Sequence, residues 1–263
     1  MVHTALTVAG SDNSGGAGIQ ADLKVFSAFG VYGMSAITSV TVQNSLGVIS
    51  SNPVPSQLVY DQIRAVVEDI GTDAVKVGML QTEENVIAVY QAVVDFGIKN
   101  IVVDTVMKSK NGKFLLDESA VDTFVKKIIP VSDILTPNID EAQLITGMDI
   151  KSTEDMKKAA VEISKMGADT VILKGGHLPQ GKNVVDVVYY KGEFLLMEYP
   201  YVETKNTHGT GCTFSSAVTA CISKGIDRIK AIRTARAYVQ GAIENSLGLG
   251  KGRGSLNHFW TVV

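Results

Sequence analysis

The chain has 263 residues, 45% of them hydrophobic and 19% charged, with a formal net charge of -3 at pH 7. That composition excludes a disordered chain and is enough for a large buried core. The slightly acidic balance excludes an electrostatic footprint for nucleic acid or anionic lipid, so a phosphorylated ligand would be a small molecule met by local groups.

No linker, charge block or low-complexity tract divides the chain, and residues 1–263 read as one domain. The first apolar stretch, Ala5 to Ala9, breaks at Gly10-Ser11-Asp12, too short for a signal segment, and no run approaches a membrane span. Cys212 and Cys221 fall nine residues apart on one expected helix, roughly 13 Å apart on opposite faces. They cannot pair with each other, so free thiols in the cytoplasm are the simplest expectation.

Thr4 to Ala9 reads as a buried strand, followed by the four-glycine loop from Gly10 to Gly18 and a helix. A strand, a glycine loop and a helix in that order make a ligand-facing turn. Its spacing is neither the dinucleotide fingerprint nor the Walker loop, and no lysine follows the glycines. On the helix, Ile19, Leu23 and Phe26 form the core stripe, and Asp22 falls beside it. Asp22 either faces the site or lies on a solvated flank.

Val31 to Val42 is a β-branched strand that ends at Gln43-Asn44, with turn chemistry in Asn44-Ser45-Leu46-Gly47. The plan repeats: helix Pro55 to Ile70, strand Ala74 to Val77 with Gly78-Met79, helix Glu83 to Phe96, strand Asn100 to Asp104. Continuous apolar strands alternating with helices imply a mostly parallel sheet covered on both faces, with ligands at the carboxyl ends. Those ends supply Gly10, Gln43, Met79 and Asp104.

Lys108 to Lys113 is a polar loop whose lysines either meet phosphate or are solvated. Helix Glu118 to Ile129 and strand Asp133 to Leu135 lead to Thr136-Pro137-Asn138-Ile139-Asp140-Glu141. There Asn138 caps a helix with two acids in its first turn, which serve either the helix dipole or a magnesium ion. Helix Thr153 to Met166 and strand Thr170 to Leu173 end in Lys174-Gly175-Gly176-His177. Val184 to Tyr190 and Glu193 to Tyr199 form an antiparallel hairpin. No histidine has metal-ligand spacing.

Asn206 to Ser216, N-T-H-G-T-G-C-T-F-S-S, is a glycine turn entering a helix, and a helix from Asp227 to Leu247 follows. The free amides of Gly209, Thr210, Gly211 and Cys212 would bind an anion. A helix start also depresses a thiol pKa, which makes Cys212 a candidate base; the plainer reading is a small hydrophobe on a capped helix.

Together G-S-D-N-S-G-G-A-G-I-Q-A-D (10–22), V-K-V-G-M-L (75–80), T-P-N-I-D-E-A (136–142), K-G-G-H (174–177) and N-T-H-G-T-G-C-T (206–213) resemble the hydroxymethylpyrimidine/phosphomethylpyrimidine kinases of thiamine biosynthesis, within the ribokinase-like superfamily. The resemblance implies an α/β fold, a three-layer α/β/α sandwich with an added antiparallel hairpin, and commonly a homodimer. It also implies an ATP- and Mg2+-dependent kinase acting twice on 4-amino-5-hydroxymethyl-2-methylpyrimidine.

By matching position, residues 209–212 would form the anion hole and Glu141 the magnesium site. Lys174, Asp104, Lys110 and Asn138 would lie on the nucleotide side. Gln43, Asp22, Gly10, Met79 and Val106 would line the pyrimidine pocket. The family's D-P-V-M-x-A-K-S-G stands here as D-T-V-M-K-S-K-N-G (104–112), so Thr105 removes a proline's restraint and Asn111 a hydroxyl. Pyridoxal kinase and a silent pyrimidine-binding module are the competing readings.

Overall fold

The computed structural model describes residues 2–108, 114–176 and 182–261. Among them nine strands form one sheet in the order β3-β2-β1-β4-β5-β6-β7-β8-β9. The strands are β1 (Thr4–Asp12), β2 (Tyr32–Asn44), β3 (Gly47–Pro53), β4 (Ala74–Val77), β5 (Ile101–Val103), β6 (Ile134–Leu135), β7 (Thr170–Leu173), β8 (Asn183–Tyr190) and β9 (Glu193–Pro200). From β2 to β7 neighbouring strands are parallel, whereas β3, β8 and β9 pair antiparallel.

The parallel strands β4, β5, β6 and β7 are buried along their whole length, as expected of apolar runs covered from both sides. The first face is packed by α2 (Ser56–Asp69), α3 (Glu83–Asp95), α4 (Val121–Lys127), α5 (Ile139–Thr146) and α6 (Thr153–Lys165). Their Ile63, Val89, Phe124, Ile145 and Ile163 share one core with Val75, Val77 and Val103. The second face carries α1 (Gly18–Ala28), α7 (Thr210–Ser223) and α8 (Arg228–Glu244), whose Val25, Phe214, Val218 and Val239 close on Val102, Ile134 and Ile172. The α/β/α sandwich and the added hairpin expected from the sequence are thus both present.

Several boundaries differ from the sequence reading. β1 continues past Ala9 to Asp12, with a register shift between Ala9 and Ser11, so Gly10 lies inside a kinked strand and not in the loop. β3 was not foreseen, because V-I-S-S-N-P shows no clean alternation; it is an edge strand joined to β2 through the expected turn at Ser45-Leu46. Helix 118–129 divides into a 3-10 turn, α4 and a second 3-10 turn around Pro130. The key helix starts at Thr210, two residues before Cys212. Asp227 caps α8 through its side chain and is outside it, and the helix ends at Glu244.

The chain leaves β1 toward β2 and β3 and returns through α2 to β4 on the other side of β1. This reversal opens a crevice at the carboxyl ends of β1 and β4, where ligands of such sheets bind. Beyond it, Asp186 on β8 fixes the end of β7: one carboxylate oxygen accepts from the Gly175 amide at 2.9 Å and the other from Arg236 of α8 at 3.0 Å.

A methyl group on Gly175 would lie 1.9 Å from the Val185 carbonyl oxygen, a backbone atom with no room to yield. Gly175→Ala should therefore part β7 from β8 and cost about 1–3 kcal/mol, the range for overpacking a tight site. A lower urea midpoint with an unchanged slope would register it.

Candidate active site

Residues 206–212 are partly exposed although the helix they enter is almost wholly buried, so the start of α7 opens to solvent. Gly209 is the N-cap with φ 80°, a left-handed backbone suited to glycine. Thr213 is the first residue whose amide bonds within the helix, to the Gly209 carbonyl at 2.8 Å. The amides of residues 209–212 precede it, and of these the Thr210 amide makes a long 3.4 Å contact with the Thr207 carbonyl. The preceding amides, together with the positive end of the helix, are the kind of donor set from which an anion could accept.

The glycine loop that follows β1 docks against this helix start. A side chain on Gly209 would begin 1.8 Å from the Gly16 carbonyl oxygen. Asp12 organises the loop: its buried carboxylate accepts from the amides of Ser14, Gly16 and Ala17 at 2.8, 3.2 and 2.8 Å and from the Ser14 hydroxyl at 2.6 Å. His208 reaches the same carboxylate through Nε2 at 2.8 Å. Burial resists the charge on Asp12, yet the hydrogen bonds from His208, Ser14 and Gln43 hold its carboxyl well below the usual carboxylate range.

Gln43, at the end of β2, stands near this loop, its backbone amide donating to Asn13 Oδ1 at 2.8 Å. Met79 and Gly10 come together: a methyl on Gly10 would lie 2.5 Å from the Met79 Cε. Gln43, Met79 and Val106 are partly exposed; Gly10 is buried.

Asp22 is neither at the rim nor on a solvated flank. It is wholly buried between β1, β4 and α7, where it accepts from Thr7 Oγ1 at 2.6 Å, Ser216 Oγ at 2.6 Å and Lys76 Nζ at 2.9 and 3.1 Å. It lies beneath the crevice and does not line it. The alternation of β4 sends Val75 and Val77 to the first face and Lys76 to the second, into this acid.

On the other side of α7 stands the second charged pair. Asp104 follows β5 and accepts from Lys174 Nζ at 3.1 Å and Thr136 Oγ1 at 3.3 Å. Gly211 faces this pair: a methyl there would lie 3.3 Å from Asp104 Oδ2 and 3.4 Å from Lys174 Nζ. Burial works against the Lys174 charge, but the carboxylate of Asp104 holds the ammonium above its ordinary range. Asn138 and Glu141 form a complete capping box, and Glu141 Oε2 also accepts from Thr105 at 2.7 Å. Thr105, read from sequence only as a lost restraint, holds Glu141. Burial raises the Glu141 carboxyl to about 7 against the pull of Lys174.

Cys212 departs from the sequence expectation. Burial pushes its thiol up to about 12, against Lys76, which is the strongest opposing charge. The helix start was expected to depress it; here the low-dielectric surroundings and the nearby acids Asp104 and Asp22 prevail. Lys110 and Asn111 lie outside the described residues, as does His177. Asp12, Lys76, His208 and Ser216 were passed over by sequence reasoning. The one available signal was Lys76, a lone charge inside an apolar strand.

The comparisons with known proteins agree on one family. A family model described as phosphomethylpyrimidine kinase matches residues 12–257. The chain is 46% identical over 258 residues to the hydroxymethylpyrimidine/phosphomethylpyrimidine kinase of Bacillus subtilis (strain 168), covering 98% of this chain and 95% of that one. The crystal structure of a phosphomethylpyrimidine kinase from Clostridium difficile 630 matches at a TM-score of 0.82 and 41% identity, over 92% of this chain and 99% of that one. An ADP complex of Bacillus subtilis pyridoxal kinase matches at 0.90 and 36% identity, over 98% of both chains.

The Glu141 carboxyl has a measurable consequence. Between its ordinary 4.5 and about 7 the folded state keeps a proton that the unfolded chain has lost. This group therefore favours folding below pH 4.5, and that contribution disappears as pH rises to about 7. His258, held down to about 4 from 6.5 by burial, acts in the opposite sense over an overlapping range, so the comparison must be a difference between variants. Glu141→Gln should gain stability relative to the parent across that window, by on the order of 1–3 kcal/mol, in urea melts at stepped pH. A difference independent of pH would show that the Glu141 carboxyl titrates alike in the folded and the unfolded chain.

Proposed function

The chain belongs to the phosphomethylpyrimidine kinase family, and we propose that the start of α7 is where it transfers phosphoryl groups. The enzyme phosphorylates hydroxymethylpyrimidine in thiamine biosynthesis, using ATP, and extends the monophosphate to the diphosphate. The observation that carries this site reading is the partly exposed helix start, with Gly211 open toward Asp104 and Lys174 on one side and the Gln43–Met79 crevice on the other.

Phosphoryl transfer asks the protein for positioning and charge neutralisation more than for covalent chemistry. In our reading the amides of residues 209–212 hold the transferring group and Lys174 meets the nucleotide phosphates, with Asp104 keeping its ammonium in place and charged. Asn138 belongs to the nucleotide side, and Lys110 is assigned to it from the sequence alone. Gln43, Met79, Gly10 and Val106 form the pyrimidine side; Asp22 supports it from below. Cys212 sits beside the attacking hydroxyl, and its thiol is neutral at rest. In a loose transition state the hydroxyl loses its proton late, so a resting thiolate is not required.

Mg2+ fits the residues present. One carboxylate, Glu141, stands beside the phosphate side, and among the described residues no cluster of three or more His, Cys, Asp or Glu is gathered that could hold an ion by itself. Such sparse ligation suits an ion held largely by water and phosphate oxygens. When bound it would neutralise phosphate charge; Glu141 would hold it once deprotonated.

We also read residues 1–263 as one cytoplasmic domain that forms a homodimer. Among the described residues no helix is long and apolar enough to cross a membrane. The β2–β3 ribbon exposes Val40, Val42 and Ile49, which offer an apolar patch to a second copy. Light scattering after gel filtration should give twice the chain mass, and Ile49→Lys should give a monomer.

The substrate test turns on Gln43. Its carboxamide offers a carbonyl oxygen and an N–H side by side, the complement of an exocyclic amine and adjacent ring nitrogen. Pyridoxal, suggested by the pyridoxal kinase neighbour, lacks that amine. In a coupled ADP-release assay the parent should prefer hydroxymethylpyrimidine, and Gln43→Met should lower kcat/KM for it at least about tenfold while changing pyridoxal little. Equal losses on both vitamers, or a parent preference for pyridoxal, would refute the substrate assignment.

A further inference from the structure

Lys76 is a charged residue beside the site to which the reading above gives no part. It lies in β4 with its side chain fully buried, and its Nζ is 2.9 and 3.1 Å from the two oxygens of Asp22. Thr7 and Ser216 complete the acid's hydrogen bonds, so the ammonium has a fixed seat. Ser216 stands one turn beyond Cys212 on α7, which puts the Lys76–Asp22 pair on the thiol's side of that helix. The ammonium also rises to the carboxyl end of its strand: a methyl on Gly78 would lie 2.8 Å from Nζ.

As a structural link such a pair is a poor choice. Two apolar side chains at positions 22 and 76 would join α1 to the sheet without two desolvated charges, and replacements of this kind are often neutral or stabilising. A cation kept at that cost beside a catalytic helix start has an electrostatic use.

We propose that Lys76 is a positioning residue for Cys212: seated on Asp22, its ammonium is the buried positive charge that governs how readily the Cys212 thiol releases its proton. This rests on the reading of Cys212 as the group beside the reacting hydroxyl. The charges that face the thiol are Lys76 from β4, Asp22 from α1, Asp104 after β5 and Lys174 after β7, with the Gly18 amide at the start of α1. Burial and the two acids disfavour the thiolate; Lys76 is the strongest group acting for it.

The test is the rate of iodoacetamide alkylation at Cys212 in the full chain, read by peptide mass spectrometry at one fixed pH. A unit of thiol pKa changes the thiolate fraction tenfold, and the accompanying change in nucleophilicity returns roughly half of that on a logarithmic scale, leaving about threefold. Asp22→Asn keeps one of the two acceptor oxygens that Thr7 and Ser216 use, removes the acid's charge and frees the cation, and should speed alkylation about threefold or more. Lys76→Met leaves two acids facing the thiol and should slow it by a similar factor, with the double variant between the parent and Lys76→Met. A merely structural pair would be loosened by either single change and both would speed alkylation; that result, or unchanged rates, overturns the proposal. Should Lys76→Met fail to fold, Ser216→Ala serves in its place, since it loosens the same contact without altering charge. It must leave the rate nearly unchanged while Asp22→Asn raises it, and equal effects overturn the proposal. Turnover of Cys212→Ala judges the underlying reading separately: full turnover with the alkylation order intact would remove Cys212 from the chemistry and leave its link to Lys76 standing.

Discussion

The close approach of two backbones, Gly16 and Gly209, is the constraint on which the site depends. The Gly16 carbonyl occupies the place where any side chain at Gly209 would begin, so the loop after β1 and the turn before α7 meet main chain to main chain. Asp12 and His208 fasten this contact from the side. β1 fixes one loop and α7 the other, and β1 stands where the strand order reverses. Gln43 is tied to the same loop, its amide donating to Asn13 Oδ1, so the residue assigned to the substrate and the turn assigned to the phosphoryl group share one anchor.

The acids around that anchor are each held by a partner. Asp22 is matched by Lys76 below the crevice and Asp104 by Lys174 beside it. Glu141 is kept near neutrality by burial and tied by Thr105 and the Asn138 amide. An acid that titrates near pH 7 is neutral enough to tolerate an arriving phosphate and acidic enough to ionise once a cation accompanies it.

The architecture was legible because β4 to β7 are buried on both faces and therefore appear as uninterrupted apolar runs, whose ends carry Met79, Asp104 and Lys174. β3 was not legible, since an edge strand with mixed polarity has no such signature. Asp22 shows the limit of helix geometry: its angle on the wheel was right, but its depth depends on Lys76, 54 residues away, and Ser216, 194 away. Cys212 shows another. Its address at a helix start is local and readable, whereas its ionisation depends on burial and on charges from four other segments. Thr105 acquires its meaning only from Glu141, brought in by a different helix.

The tie between Asp12 and His208 spans 196 residues of chain, and that between Asp22 and Ser216 spans 194. During synthesis a chain that has emerged as far as the end of β9 possesses every strand of the sheet, yet its second face is covered by α1 alone. The apolar residues Val102, Ile134 and Ile172 then wait for α7 and α8. Contacts of such long separation are slow to close, so the second face and the turn at residues 209–212 are completed in the same late event. Failure to dock the last two helices would leave both a chain without activity and an open apolar sheet face, so that inactive chains present the surface by which chaperones and proteases find them.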